Sequence, residues 1–173
     1  YQKYNINTVV SATTILKELG FNINQQKVIL GLNNVIRNTN LMGRWQVLNQ
    51  KPLTIFDIAH NNSSIEIVFN QLLKKKSKIH IIMGLSSDKD IKSIVEICPP
   101  SFLYYICGSL NDRILDPNIY ASLFDSFNLK YKIFDLSYSA YNYCLSNSNQ
   151  KDILCITGST FIVSDMLKYL DKV

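Results

Sequence analysis

The chain has few glycines, and they are badly spaced for holding phosphate. Gly20, Gly31, Gly43, Gly84, Gly108 and Gly158 are the whole set. No two stand five positions apart, so a G-x-x-x-x-G-K-[ST] loop is absent; no two stand two apart, which removes G-x-G-x-x-G as well. Any nucleotide this chain handles must have its phosphates cradled by residues outside it. The cysteines, Cys98, Cys107, Cys144 and Cys155, include no C-x-x-C pair, which leaves no spacing for a structural zinc. Cys107 and Cys155 fall in apolar runs where cysteine acts as a small hydrophobe, and reduced thiols in a cytoplasmic protein are the expectation. No apolar stretch approaches the roughly 18 residues that span a bilayer, and no signal-peptide pattern opens the chain, so no membrane partner is expected. Charge is only mildly one-sided: 18 basic against 13 acidic residues, a net +5. That suits an anionic nucleotide but is equally a surface property, and nucleic acid is not expected as a partner.

What is present reads as one ordinary domain with a small appendage. Ile6, Val9, Val10, Thr13, Leu16 and Leu19 recur at helical spacing and Gly20 follows as a stop, which predicts a helix over 5–19. A second helix is predicted over 24–36, with Val28, Ile29, Leu32, Val35 and Ile36 on one face. Two short helices cannot build a core alone. Residues 37–42 read as a polar linker. From Gly43 the pattern changes to strands at 44–49, 53–57, 78–83, 102–107, 131–134 and 152–156, alternating with helices at 63–75, 89–97, 117–127, 138–147 and 160–171. Such alternation implies crossover units and a parallel sheet. The first two strands are joined only by Gln50-Lys51-Pro52, too short for a parallel crossover, so they form an antiparallel hairpin. The expected fold is therefore α/β and Rossmann-like. It has a mostly parallel six-stranded sheet with one antiparallel strand and helices on both faces, preceded by two short helices.

Several polar residues bunch where the strands end, which is where open α/β sheets bind ligands. Asp57 closes the run Leu53-Thr54-Ile55-Phe56, and His60 and Asn61 follow in the same loop. A carboxylate there either accepts hydrogen bonds from ribose hydroxyls or shapes the turn. Asn61 is read as shaping the turn. Ser63 and Glu66 have the spacing of a capping box for the next helix, and Lys74-Lys75-Lys76 at its end complements the helix dipole. Arg44 projects near the same crevice, where a guanidinium can grip phosphate oxygens, while Trp45 is read as packing. Met83-Gly84-Leu85-Ser86-Ser87-Asp88-Lys89-Asp90 leaves one strand and opens a helix; Lys89 either binds a carboxylate or is solvated, and Asp88 and Asp90 can be caps. Ser159 is an N-cap candidate for the last helix. His80 lies within a strand and is read as structural.

These segments together resemble the Mur ligase superfamily, and within it the folylpolyglutamate synthase/dihydrofolate synthase branch. The resemblance is carried by Gly43-Arg44, by Asp57-Ile58-Ala59-His60-Asn61, which is similar to a D-x-A-H-N motif, and by Asp88-Lys89-Asp90. It implies an ATP-dependent ligase that adds L-glutamate to folate or dihydropteroate through an acyl phosphate, with magnesium as metal. It implies that Asp57 contacts the ribose of ATP, that Arg44 and His60 reach its phosphates, and that Lys89 and Ser159 hold glutamate. Gln2 and Asn5 resemble a Q-x-x-N whose amides face adenine. Arg113 is similar to an Arg at a comparable loop of relatives, and no role is assigned to it. Residues 1–36 resemble the last helices of a central ATPase domain and 43–173 a complete C-terminal domain. The phosphate loop and magnesium ligands are thus expected upstream, the isolated segment inactive, and the full-length protein a monomer. The alternatives are a Mur ligase of cell-wall synthesis and a non-catalytic nucleotide-binding α/β module.

Overall fold

The structure is a computed structural model that describes residues 3–171. It divides into two compact units, one ending at Met42 and one beginning at Gly43.

The first unit is helical: α1 (Lys3–Glu18), α2 (Gln25–Asn33) and α3 (Val35–Thr39). α1 stops where Gly20 takes a left-handed φ of 92°, a conformation that costs glycine little. The helix expected over 24–36 is interrupted at Asn34, whose φ/ψ of −113°/19° leaves the helical region. The Leu30 carbonyl accepts both the Asn34 N–H at 3.1 Å and the Asn34 side-chain amide at 2.9 Å, closing the end of α2. Helix then resumes through Thr39, so part of the expected linker is helical. No residue from Asn5 to Met42 is buried, and Leu19, Phe21 and Leu30 are among the exposed apolar side chains.

The second unit is a six-stranded sheet in the order β1-β2-β6-β3-β4-β5. The strands are β1 (Gln46–Gln50), β2 (Leu53–Phe56), β3 (Ile79–Met83), β4 (Leu103–Cys107), β5 (Lys130–Phe134) and β6 (Ile153–Thr157). β1 and β2 form the expected antiparallel hairpin, with Leu48 bulged out of register; every other pairing is parallel. Helices α4 (Asn62–Leu73), α5 (Ile91–Glu96) and α6 (Pro117–Ser126) serve one face, and α7 (Ser137–Ser146) and α8 (Thr160–Leu170) the other. Strand alternation sorts the core accordingly. Ile55, Ile81, Tyr104 and Cys155 meet Phe69, Ile94 and Phe124 on the first face. Phe56, Ile82, Tyr105 and Ile156 meet Cys144, Ile162 and Met166 on the second. All four cysteines are buried and unpaired, and burial pushes the Cys98 and Cys144 thiols up to about 12.

The order of strands places the crevice. After β3 the chain leaves through α5 toward β4, whereas after β6 it leaves through α8 on the opposite face. The carboxyl ends of β3 and β6 are neighbours whose connections diverge, the switch point where doubly wound sheets bind ligands. Two glycines let the loops close up there. A Cβ at Gly158 would lie 2.9 Å from the Gly84 carbonyl oxygen, and one at Gly84 would lie 2.5 Å from that of Cys107.

At the other end of the sheet, His80 is wholly buried. Its Nε2 lies 3.2 Å from the Asp152 carboxylate and so donates, while Nδ1 accepts from the Tyr105 hydroxyl at 2.9 Å. Burial outweighs Asp152 and lowers the His80 pKa from its ordinary 6.5. The neutral ring therefore contributes its full stability above that value. Below it the unfolded chain takes a proton that the folded chain refuses. We expect stability to fall as the pH drops below about 6.5, with a slope of at most ~1.4 kcal/mol per unit. Urea denaturation across that range checks this, and His80→Gln should flatten the dependence.

Candidate functional site

The turn Gly43-Arg44-Trp45-Gln46 is tied to the end of β2 by a set of short bonds. The buried Asp57 carboxylate accepts the Trp45 N–H through Oδ2 at 2.9 Å and the Ala59 N–H through Oδ1 at 3.0 Å. The Ile58 N–H donates to the Gly43 carbonyl at 2.8 Å, and the Gly43 N–H donates to Gln46 Oε1 at 2.8 Å. Gly43 has φ 70°, and a Cβ there would stand 2.5 Å from Ile58 Cγ2, so this position needs glycine on both counts. Trp45 also sits at positive φ, 48°, a strained state for a bulky residue that persists only when its surroundings fix it. Its bond to Asp57 is one such restraint, and its indole packs against the core, as expected for packing. Arg44, between these two, is exposed, with no ion pair among the described residues.

Asp57 also anchors the following loop. The Ala59 carbonyl accepts the Gly158 N–H at 2.9 Å and the Thr157 hydroxyl at 3.3 Å, joining the loop after β2 to the loop after β6. Asn61 shapes the turn, as expected, but as the N-cap of α4. Its Oδ1 accepts the Ser64 N–H at 2.9 Å and its N–H donates to Ser64 Oγ at 3.2 Å. The capping box is thus Asn61/Ser64 rather than Ser63/Glu66. The chain enters α4 directly from the extended Asn61, two residues before Ser63, so Ser63 already lies inside the helix.

A cleft of about 200 Å³ opens at the switch point, lined by His60, Ser86, Asp88, Lys89, Arg113, Ser159, Thr160 and Phe161. Ser159 caps α8, accepting the Phe161 N–H at 3.2 Å. Its Oγ is 3.3 Å from Ser86 Oγ, bridging the loops after β6 and β3. Lys89 Nζ pairs with the neighbouring Asp88 at 2.7 Å, and this hydrogen bond, with Arg113 adding to it, holds the Asp88 carboxyl below its ordinary range. Asp90 caps α5 through the Ser93 N–H. The Arg113 guanidinium lies 5.8 Å from the Phe161 ring centroid, a cation–π distance. Its segment is stitched to the Lys89 loop by Ser87 N–H to Arg113 O and Leu115 N–H to Leu85 O, both 2.9 Å.

The structure therefore gathers His60, Lys89 and Ser159 into one cleft. Arg44 and Asp57 do not line it; Asp57, 1% exposed, holds the turn that presents Arg44. Asn5 lies in α1, within the helical unit, and Gln2 lies outside the described residues. Sequence reasoning assigned no role to Ser86, Arg113 or Phe161. Only an arginine in a loop leaving β4 pointed to Arg113, while nothing in the spacing brings Ser86 opposite Ser159. Among the described residues no three His, Cys, Asp or Glu side chains gather at one point. No described helix is long and apolar enough to cross a membrane.

Residues 43–160 match the family described as Mur ligase, glutamate ligase domain. The chain is 30% identical over 108 residues to the dihydrofolate synthase/folylpolyglutamate synthase of Buchnera aphidicola subsp. Baizongia pistaciae, covering 61% of this chain and 24% of that protein. It is 24% identical over 172 residues to the Escherichia coli protein of the same name, covering 93% and 37%. It thus spans well under half the length of either relative. Among solved structures, a bifunctional folylpolyglutamate synthase/dihydrofolate synthase with Mn, AMPPNP and L-glutamate bound superposes with a TM-score of 0.78 at 22% identity, covering 92% of this chain and 38% of that one. That likeness agrees with the expected α/β fold.

The network around Asp57 makes a prediction. Asp57→Ala leaves a buried and a half-buried N–H without their acceptor and should destabilise the unit from Gly43 onward by about 2–4 kcal/mol, read by urea denaturation. Asp57→Asn, which can satisfy only one of the two, should fall between.

Proposed function

The chain belongs to the Mur ligase glutamate ligase domain family, and on that premise we propose that it is the amino-acid-binding end of an ATP-dependent ligase joining L-glutamate to folate or dihydropteroate. The observation that carries this reading is the cleft. Two cationic side chains, Lys89 and Arg113, and two facing hydroxyls, Ser86 and Ser159, line a space of about 200 Å³ at the amino end of α8. Such a lining suits a small acid with two carboxylates: cations and a helix amino terminus both favour negative charge. The relatives are named for the same chemistry, and a structural neighbour holds L-glutamate with AMPPNP and Mn.

In this reading Lys89 leaves Asp88 for a glutamate carboxylate, and Ser159 and Arg113 fix the rest of the amino acid. Arg44 meets the phosphates of ATP, on the turn that Asp57 secures; the resemblance adds Asp57 at the ribose and Gln2 and Asn5 near adenine. ATP supplies the phosphoryl group that activates the substrate carboxyl. Attack by the glutamate amine then depends on positioning and charge stabilisation. The phosphate loop and the magnesium ligands belong to an ATPase domain of the same protein upstream, to which α1–α3 belong. That assignment gives the apolar side chains left exposed on these helices a body to pack on. The full-length ligase works as a monomer in the cytoplasm.

Two measurements test the reading. The segment alone should show no ATP- and glutamate-dependent turnover, and clear turnover would sink it. In the full-length ligase, Lys89→Ala should raise KM for glutamate by about tenfold or more with KM for ATP little changed, and Arg44→Ala should do the reverse. Activity on a cell-wall precursor in place of a folate or dihydropteroate would turn the assignment to the other branch of the superfamily.

A further inference from the structure

We infer that His60 accepts the proton that the incoming amino group must lose before it can attack. The inference rests on the ligase reading above and adds to it the base of the second half-reaction. Nδ1 of His60 lies 2.9 Å from the Ile58 carbonyl oxygen. A carbonyl can only accept, so Nδ1 carries the hydrogen, and in the neutral ring Nε2 is a bare lone pair. The backbone holds this arrangement: the His60 and Asn61 N–H groups both donate to Ser64 Oγ, at 3.1 and 3.2 Å. The half-buried ring lines the same cleft as Lys89, Arg113 and Ser159.

The other charged groups leave this role to His60. Asp88, the one carboxylate among the described residues lining the cleft, is mostly exposed, and a carboxylate is a weaker base than an imidazole by about two to three pK units. Lys89 and Arg113 are cations. Asp57 lies in the loop floor with both oxygens accepting backbone N–H groups. A neutral Nε2 is also a poor partner for phosphate, since both are acceptors; it suits a donor, and an ammonium is one.

An amino acid arrives as –NH3⁺, with no lone pair to attack. One proton passes from nitrogen to His60 Nε2, giving the imidazolium. The freed electron pair forms the C–N bond at the acyl phosphate carbon. As the C–O bond to phosphate breaks, a second nitrogen proton leaves with the departing group as HPO4²⁻. The imidazolium then releases its proton to solvent.

The test uses the full-length ligase with ATP, its carboxylic acid substrate and either L-glutamate or hydroxylamine, which is a neutral nucleophile near pH 7 and needs no base. Absence of glutamate-dependent ADP formation in the unsubstituted enzyme would overturn the ligase reading itself. Given that activity, His60→Gln should lower kcat with glutamate by about 10²–10⁴-fold, with KM for glutamate little changed. Hydroxamate formation should stay within about threefold of the unsubstituted enzyme, and the variant's glutamate rate should climb roughly tenfold per pH unit above 7 as free amine appears. If hydroxamate and amide formation fall together, His60 serves the nucleotide half-reaction or the fold, and the inference is overturned. Equal kcat in variant and parent would overturn it as well.

Discussion

A single buried carboxylate organises the site end of this domain. Asp57 accepts one N–H from the turn that brings the chain into the sheet and one from the loop that leaves β2. Each bond joins a carboxylate oxygen to a backbone donor, the stronger class of hydrogen bond. Around them the rest follows. Gly43 and Trp45 hold left-handed conformations, Arg44 is lifted into solvent between them, and the Ala59 carbonyl is placed to receive Gly158 and Thr157. The loops after β2 and β6 are thus bonded directly to each other. The Ser86–Ser159 contact adds the loop after β3, and the short bridge at Ser86 and Ile114 adds the loop after β4.

The division of labour in the cleft follows from the sheet order. Insertion of β6 between β2 and β3 sets the amino terminus of α8 beside the loop carrying Lys89 and across from His60. Helix terminus, cation and imidazole come from three separate connections, so their distances are fixed by the sheet and not by any one loop. The opposite end of the sheet is built differently. There His80, Asp152 and Tyr105 form a buried hydrogen-bonded set, which fits a structural role.

The helical unit has the reverse character. Its stripes were legible as helices, and α2 is even capped as a normal helix, by Asn24. Yet no described side chain in it is buried up to Met42, because three short helices enclose too little volume for a core of their own. The second helix divides at Asn34, where φ/ψ leaves the helical region while the Leu30 carbonyl accepts both the Asn34 N–H and its side-chain amide. A period-based reading cannot see that.

From the sequence alone came the alternation of strands and helices, the β1–β2 hairpin, the absence of a phosphate loop and the polar group at the end of β2. Each is a local property: a period, a loop length, a residue spacing. The cap of α4 was misjudged: Ser63 with Glu66 was expected, whereas Asn61 caps with Ser64, because the preceding loop starts the helix two residues earlier. Tertiary structure alone determined the strand order, and with it the meeting of Ser86 and Ser159 from 73 positions apart and the entry of Arg113 into the cleft. It also decided that Asp57 faces backbone N–H groups and that His60 Nδ1 lies against the Ile58 carbonyl. Those outcomes depend on which strand lies beside which and on which carbonyl lies within reach of each ring or carboxylate, and no spacing along the chain encodes either.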